Sequence, residues 1–181
     1  MRVISGQYRG ARLFAPKDRL IRPTTDRVRE YIFSCIQHDI VDSTFADLFC
    51  GTGAVGIEAK SRGASKIVFV DVSTSSIDLL NRNLKKIGLE ANVFKRSVES
   101  FLRSCNDSQQ YDFIFCDPPY KYDHFETIFD LIKDQHLLRK DGQLLLESDA
   151  RREAPKSDDF SIVRQKKMGE TLITFYRCDY E

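Results

Sequence analysis

Residues 44–59 read T-F-A-D-L-F-C-G-T-G-A-V-G-I-E-A, and this stretch decides the fold. Thr44–Phe49 is a short, mostly apolar run of strand length. Gly51-x-Gly53-x-x-Gly56 follows it, and a helix to about Arg62 comes next. Glycines between a strand and a helix permit a tight turn and a close backbone approach to a ligand, and the helix N-terminus adds N–H groups and a positive dipole end. Asp71 lies 20 residues beyond Gly51, at the end of the next apolar run, Lys66–Val70. A carboxylate at that place can accept both ribose hydroxyls of a nucleoside. Gly51, Gly53 and Asp71 are therefore candidate contacts to an adenosine cofactor, either a dinucleotide or S-adenosylmethionine. Asp47 sits inside the first strand, where a buried charge needs a partner. A ligand amine, a backbone amide or an arginine would each serve.

Outward from that stretch, strand and helix alternate. A helix is predicted over Ser73–Ile87, a strand over Ala91–Lys95 and a helix over Val98–Cys105. Tyr111–Cys116 forms a fourth strand, Phe125–Gln135 a helix and Gln143–Glu147 a fifth strand. Phe160–Arg164 and Thr171–Arg177 read as a terminal antiparallel pair. The pattern predicts an α/β fold with a doubly wound, mostly parallel, seven-stranded sheet of Rossmann-like type. Ahead of it, Val3–Leu13 reads as a small β-hairpin with Arg9 near its tip, and a helix is predicted over Asp26–Gln37 after the N-cap candidates Thr24, Thr25 and Asp26. The domain division is a basic N-terminal extension, 1–43, and a cofactor-binding domain, 44–181.

At 181 residues the chain suits one core of ordinary size, and its 13 Phe and 7 Tyr argue against disorder. No apolar run is long enough to span a bilayer. The first residues contain no apolar signal segment, so a cytoplasmic location is expected. Cys35, Cys50, Cys105, Cys116 and Cys178 form no metal-binding spacing, so no metal is expected. The net charge of +1 conceals an asymmetry: residues 1–30 carry +5 and the remainder −4. A basic arm on a slightly acidic body points to a polyanionic partner.

Asp117-Pro118-Pro119-Tyr120 closes the fourth strand, at the edge where α/β folds place ligands. Two prolines stiffen the turn and remove two N–H donors, leaving an acceptor-rich site beside a flat aromatic ring. Such a site recognises a planar group bearing N–H donors, as a nucleobase with an exocyclic amine does. Acceptors on those N–H bonds favour a pyramidal nitrogen whose lone pair can meet an electrophilic methyl, while Tyr120 stacks on the base.

These motifs carry a resemblance. F-C-G-T-G with D-P-P-Y resembles class I S-adenosylmethionine-dependent methyltransferases that act on amino nitrogens. With G-Q-Y-R-G-A-R-L at 6–13 and R-P-T-T-D-R-V-R-E at 22–30, nearly the whole chain is similar to the bacterial 16S rRNA guanine-N2 methyltransferases of the RsmD type. The resemblance implies S-adenosylmethionine as cofactor, and as partner small-subunit rRNA or an assembling small ribosomal subunit; a monomer is expected, although no residue pattern speaks to oligomeric state. It places Asp47, Gly51 and Gly53 at the methionine part of the cofactor and Asp71 at the ribose. Asp117 and Pro118 would accept from the target amine, Tyr120 would stack on the guanine, and the Arg22–Glu30 segment, with Thr24, would close over the cofactor. Arg2, Arg9, Arg12, Arg22 and Arg27 become candidate phosphate contacts. Many class I enzymes have an acid after strand three that holds the adenine amine. Here the stretch is Lys95-Arg96-Ser97-Val98, so Ser97 or a backbone carbonyl is the candidate. The rivals are a DNA amino-methyltransferase, a protein-glutamine methyltransferase, a nicotinamide-dependent dehydrogenase and a non-enzymatic RNA-binding protein. The dehydrogenase leaves Asp117–Tyr120 without a task, and the binding protein leaves both motifs unexplained.

Overall fold

The structure is a computed structural model, and it describes residues 1–16, 24–119 and 121–179. The candidates Arg22 and Tyr120 lie outside the described residues.

Among the described residues the chain forms α1 (Asp26–Cys35), β1 (Thr44–Leu48), α2 (Ala54–Ser61), β2 (Lys66–Asp71), α3 (Thr74–Ile87) and β3 (Asn92–Lys95). These are followed by α4 (Val98–Ser104), β4 (Tyr111–Cys116), α5 (Phe125–Asp134), β5 (Leu138–Asp149), β6 (Phe160–Met168) and β7 (Thr171–Cys178). Local chemistry sets the helix starts. Thr25, Ser73 and Ser97 stand at the N-caps of α1, α3 and α4, and each side chain accepts a first-turn amide. Gly88 ends α3 in the left-handed conformation.

The strands join in one seven-stranded sheet of order β3-β2-β1-β4-β5-β7-β6. The first five are mutually parallel, while β7 is antiparallel to both β5 and β6. Apolar side chains cover both faces. Phe33, Phe45, Phe69 and Leu80 belong to one cluster, with α1, α2 and α3; Leu48, Phe101, Phe129 and Tyr176 belong to the other, with α4 and α5. The expected architecture is therefore present. β5 is longer than the predicted Gln143–Glu147: Leu138 pairs with Tyr111 ahead of a register shift that takes up Arg139–Gly142, and Ser148 and Asp149 pair with β7 at the other end. β6 lies at the sheet edge, and Arg164, Lys166 and Lys167 occupy its exposed surface. Charges on an edge strand oppose pairing with another chain.

The N-terminal segment forms a short hairpin-like loop closed by a single antiparallel bridge, Arg2 to Arg12, and contains no named strand. The Val3 amide donates to the Ala11 carbonyl at 3.0 Å, the Gly10 amide to the Val3 carbonyl at 2.9 Å and the Leu13 amide to the Met1 carbonyl at 3.0 Å. Amides between these bonds are taken up by α2. The Gln7 amide donates to the Ser61 carbonyl at 2.7 Å, and the Tyr8 amide to Ser61 Oγ at 2.9 Å. Glu58, fully buried on α2, accepts the Ile4 amide at 2.8 Å, the Ser5 amide at 3.0 Å and Arg62 Nε at 2.7 Å. Val3, Leu13, Val28 and Ile32 enter the same apolar cluster as β1 and α2, so the basic extension and the sheet share one core.

A buried carboxylate that serves two backbone amides and a guanidinium cannot be shortened without leaving all three unsatisfied. Glu58→Ala should cost about 3 kcal/mol of stability, and Glu58→Gln should cost less because it keeps an acceptor. Urea unfolding midpoints of the two variants check this.

Candidate active site

The cleft lies at the carboxyl ends of β1, β2 and β4, where strand order turns from β2 on one side of β1 to β4 on the other. In a doubly wound sheet this is the point where the connections diverge to opposite faces and leave a crevice. Its volume is about 520 Å³. Asp47, Gly51, Thr52, Asp71, Asp117, Pro118 and Thr24 all line it. Residues 123 apart in sequence thus meet in one concave surface.

Two acids build the glycine loop. Asp71, at the tip of β2, accepts the Gly51 amide on Oδ2 and the Ser73 amide on Oδ1, each at 2.8 Å. A carboxylate offers about four lone-pair positions, so two remain for a ligand. Asp47 Oδ2 accepts the Gly56 amide in the first turn of α2 at 2.8 Å. Of the three partners open to Asp47, the backbone amide is present, and the residue still lines the cleft. Burial pushes the Asp47 carboxyl well above the usual carboxylate range, opposed by the Gly56 hydrogen bond and reinforced by the charge of Asp71.

The three glycines have different tasks. Gly53 has φ +75°, and a Cβ there would come within 2.2 Å of Leu80 Cδ1. A Cβ on Gly56 would meet the Phe69 ring at 2.3 Å. Both permit α2 to pack closely, and neither lines the cleft; Gly51 does. Gly53 thus shapes the loop from behind Gly51.

Asp117 follows β4 and faces the cleft. Its carboxyl is pushed well up, first by burial, then by the negative charges of Glu147 and Asp47, while a hydrogen bond from Thr24 acts in the opposite sense. Thr24 Oγ1 is 3.3 Å from Asp117 Oδ2 and 3.2 Å from Glu147 Oε2. Thr24 therefore reaches the carboxylates rather than the glycine loop. The turn after Asp117 is fixed by the Tyr122 amide, which donates to the Pro119 carbonyl at 2.7 Å.

Several cleft residues escaped the sequence reading. Phe49, Tyr122 and Phe125 form an aromatic wall, with Phe49 and Phe125 ring centroids 5.2 and 5.4 Å from that of Tyr122. The Tyr122 hydroxyl donates to Glu99 at 2.6 Å. Phe49 has φ +57°, a left-handed conformation that is costly for a side chain of this size. Val72 lines the cleft with 65% of its surface exposed, and Glu147, Asp149 and Glu153 add to the three acids already named. Phe49 opens the F-C-G-T-G run and Glu147 ends the predicted fifth strand, but no motif marked Val72, Tyr122 or Phe125. Ser97 does not line the cleft, and its hydroxyl accepts the Ser100 amide at the start of α4. Cys50 and Cys116 are buried thiols whose pKa is pushed up by that burial, so neither is an activated nucleophile.

Arg2, Arg9, Arg12 and Arg27 are exposed outside the cleft, and Arg2 lies 3.6 Å from Asp26. Arg29, by contrast, is fully buried. It donates to the Arg2 and Ala54 carbonyls and to Asp26, tying α1 to α2 and to the N-terminal segment. Among the described residues no His, Cys, Asp and Glu side chains group as a metal site would require, and no helix is long and apolar enough to cross a membrane.

A glycine loop, an acid at the tip of β2 and an acceptor-rich turn after β4, arranged on this sheet, define the class I methyltransferase fold. Residues 1–177 match the family model described as "Conserved hypothetical protein 95", and the chain belongs to that family. It is 35% identical to "Putative rRNA methyltransferase YlbH" of Bacillus subtilis, with 98% of each chain covered. It is 31% identical to "Ribosomal RNA small subunit methyltransferase D" of Escherichia coli, over 98% of this chain and 89% of that one. A solved Escherichia coli structure described as "Putative methyltransferase yhhF" superposes with a TM-score of 0.89 at 31% identity, covering 100% of this chain and 99% of the other.

The raised Asp117 carboxyl has a consequence for stability. It binds its proton more tightly in the folded chain than in the unfolded one, so ionisation above about pH 4 costs folding free energy. Asp117→Asn removes that cost. Its gain in melting temperature over the parent should be smallest near pH 4 and grow as pH rises through the raised native value. Thermal melts between about pH 4 and pH 8 read this difference.

Proposed function

We propose that the protein is an S-adenosylmethionine-dependent methyltransferase that modifies the exocyclic N2 of a guanine in small-subunit rRNA, as naked RNA or within an assembling subunit. The observation that carries this reading is the meeting of Asp117 and Pro118 with the Asp71-braced glycine loop in a single cleft. The names of the relatives support rRNA as the substrate class. The guanine N2 rests on the acceptor-rich turn and on the resemblance of residues 6–13 and 22–30.

The residues present fit the cofactor. Asp71 keeps lone pairs for two ribose hydroxyls after serving Gly51 and Ser73. Val72 offers an apolar surface beside it for a flat ring, a contact assigned here in place of Ser97. Asp47 and the Gly51–Thr52 backbone suit a charged amino-acid end, and six acids against one arginine around the cleft favour a cationic ligand. When bound, S-adenosylmethionine supplies an electrophilic methyl on a positively charged sulfur.

Asp117 takes a hydrogen bond from the target amine and turns its lone pair toward the methyl. Phe49, Tyr122 and Phe125 keep water from that side of the cleft. The stacking role of Tyr120 rests on the sequence alone. A guanine must leave its stack to reach the cleft. Arg2, Arg9, Arg12 and Arg27, with Arg22 on sequence grounds, would hold the backbone beside it.

Transfer of a labelled methyl from S-adenosylmethionine to unmodified small-subunit particles tests the reading, with DNA and protein as parallel substrates. The parent should label the rRNA, and Asp117→Ala should lose at least about 10²-fold in kcat while binding S-adenosylhomocysteine normally by calorimetry. Labelling of DNA or protein alone, or near-parental turnover by Asp117→Ala, contradicts it.

A second expectation concerns the arm. An Arg9/Arg12 double alanine variant should bind rRNA more weakly and flatten the salt dependence by about 0.7–0.9 log units of slope per lost phosphate contact. Its affinity for the cofactor should stay constant. RNA titrations at several salt concentrations measure the slope, and an unchanged value in a folded variant moves the RNA surface elsewhere.

A further inference from the structure

Glu147 sits near the end of β5, beside the turn that carries Asp117. Its Oε2 is 3.2 Å from Thr24 Oγ1, which is itself 3.3 Å from Asp117 Oδ2. Its Oε1 is 3.3 Å from Thr171 Oγ1 on β7. A hydroxyl carries one hydrogen and two lone pairs. Thr24 can donate to one carboxylate only, so it bonds both when the other carboxyl is protonated and donates to it. Two acids joined in this way by a hydroxyl can exchange a proton through it.

Methylation of an amine creates a proton to dispose of. The nitrogen lone pair forms the new N–C bond, the C–S bond breaks with its pair going to sulfur, and the nitrogen is left with a positive charge and a hydrogen to lose. Asp117 is the acceptor beside it, but it lies deep in the cleft among other acids. Asp47 faces it from β1, Asp71 lines the same cleft from β2, and Asp149 at the end of β5 and Arg152 and Glu153 beyond it line the cleft as well.

We infer that Glu147 is a positioning residue for proton release: Thr24 passes to Glu147 the equivalent of the proton that Asp117 takes from the amine. Asp117 gives its proton to the Thr24 oxygen as the Thr24 hydrogen moves to Glu147. Substrate loses one proton, Glu147 gains one, and nothing is oxidised or reduced. The negative charge of Glu147 also helps to push the Asp117 carboxyl upward, after burial itself. Glu147 thereby raises the basicity of the acceptor and provides its outlet.

This inference rests on the methyltransferase reading, and one experiment separates the two. Methyl transfer to unmodified small-subunit particles is followed against pH for the parent, Glu147→Gln, Thr24→Val and Thr24→Ser, with S-adenosylhomocysteine binding measured by calorimetry. Glu147→Gln should lower kcat about 10²-fold with little change in KM. The limb of its pH profile that reports Asp117 should move to lower pH, because a like charge has been removed. Thr24→Val leaves both acids in place and should lose kcat comparably, and Thr24→Ser should recover it. Inhibitor affinity should stay near the parental value in all three. Parental kcat with an unmoved limb in Glu147→Gln overturns the relay, as does parental kcat in Thr24→Val. Should Glu147→Gln fail to fold, the Thr24 pair still decides. A parent that labels no rRNA overturns instead the methyltransferase reading beneath it.

Discussion

The site depends on the reversal of strand order at β1. β2 leaves β1 on one side and β4 lies on the other, so the connections after β1 and β4 part company at the carboxyl edge and cannot cover it. The gap needs no special residues to exist; it follows from parallel strands with crossovers of one hand. What the residues decide is how it is furnished. Asp71 fixes the loop after β1 by taking the Gly51 and Ser73 amides, and that same loop starts α2, on which the N-terminal segment is hung. A change at the β2 tip would reach from the cleft to the first residues of the chain.

Gathering acids in one crevice has a physical cost. Asp47 and Asp117 have raised carboxyls chiefly because burial strips their water, with neighbouring acids adding to the effect. Folding supplies partial relief through backbone amides and the Thr24 hydroxyl. A positively charged ligand would complete it, so the same cluster that costs folding free energy favours a cation in the cleft. The left-handed Phe49 belongs to the same pattern, since local strain persists where the surrounding structure fixes it and is concentrated at functional sites.

The basic extension is bound to the sheet domain on its inner side and exposed on its outer side. Glu58, Ser61 and Asn83 take its backbone groups; Asn83 Oδ1 accepts the Phe14 amide at 2.7 Å, and its Nδ2 donates to the Thr52 carbonyl at 3.0 Å. Held in this way, Arg9 and Arg12 present their charges in a fixed place relative to the glycine loop. A nucleic acid held by the arm would then be registered against the cleft rather than merely tethered near it.

The order and kind of the elements, and the identity of the two motifs, follow from patterns a few residues long. Alternating apolar runs, caps such as Ser73 and turns such as Gly88 act over a few residues, so spacing alone places β1 to β4 and α3 within a residue or two of where they form. Asp47, Asp71 and Asp117 were legible for the same reason, because each sits at a fixed offset from a strand end. The tertiary packing decided that a Cβ at Gly53 would collide with Leu80, that Ser97 caps a helix, and that α2 takes the Ile4, Ser5, Gln7 and Tyr8 amides of the N-terminal loop. It alone brought Thr24 and Glu147 within 3.2 Å across 123 residues of chain. Local chemistry is written along the chain and can be read in a short window. Contacts between distant segments arise from the packing of whole elements, and no window of sequence contains them.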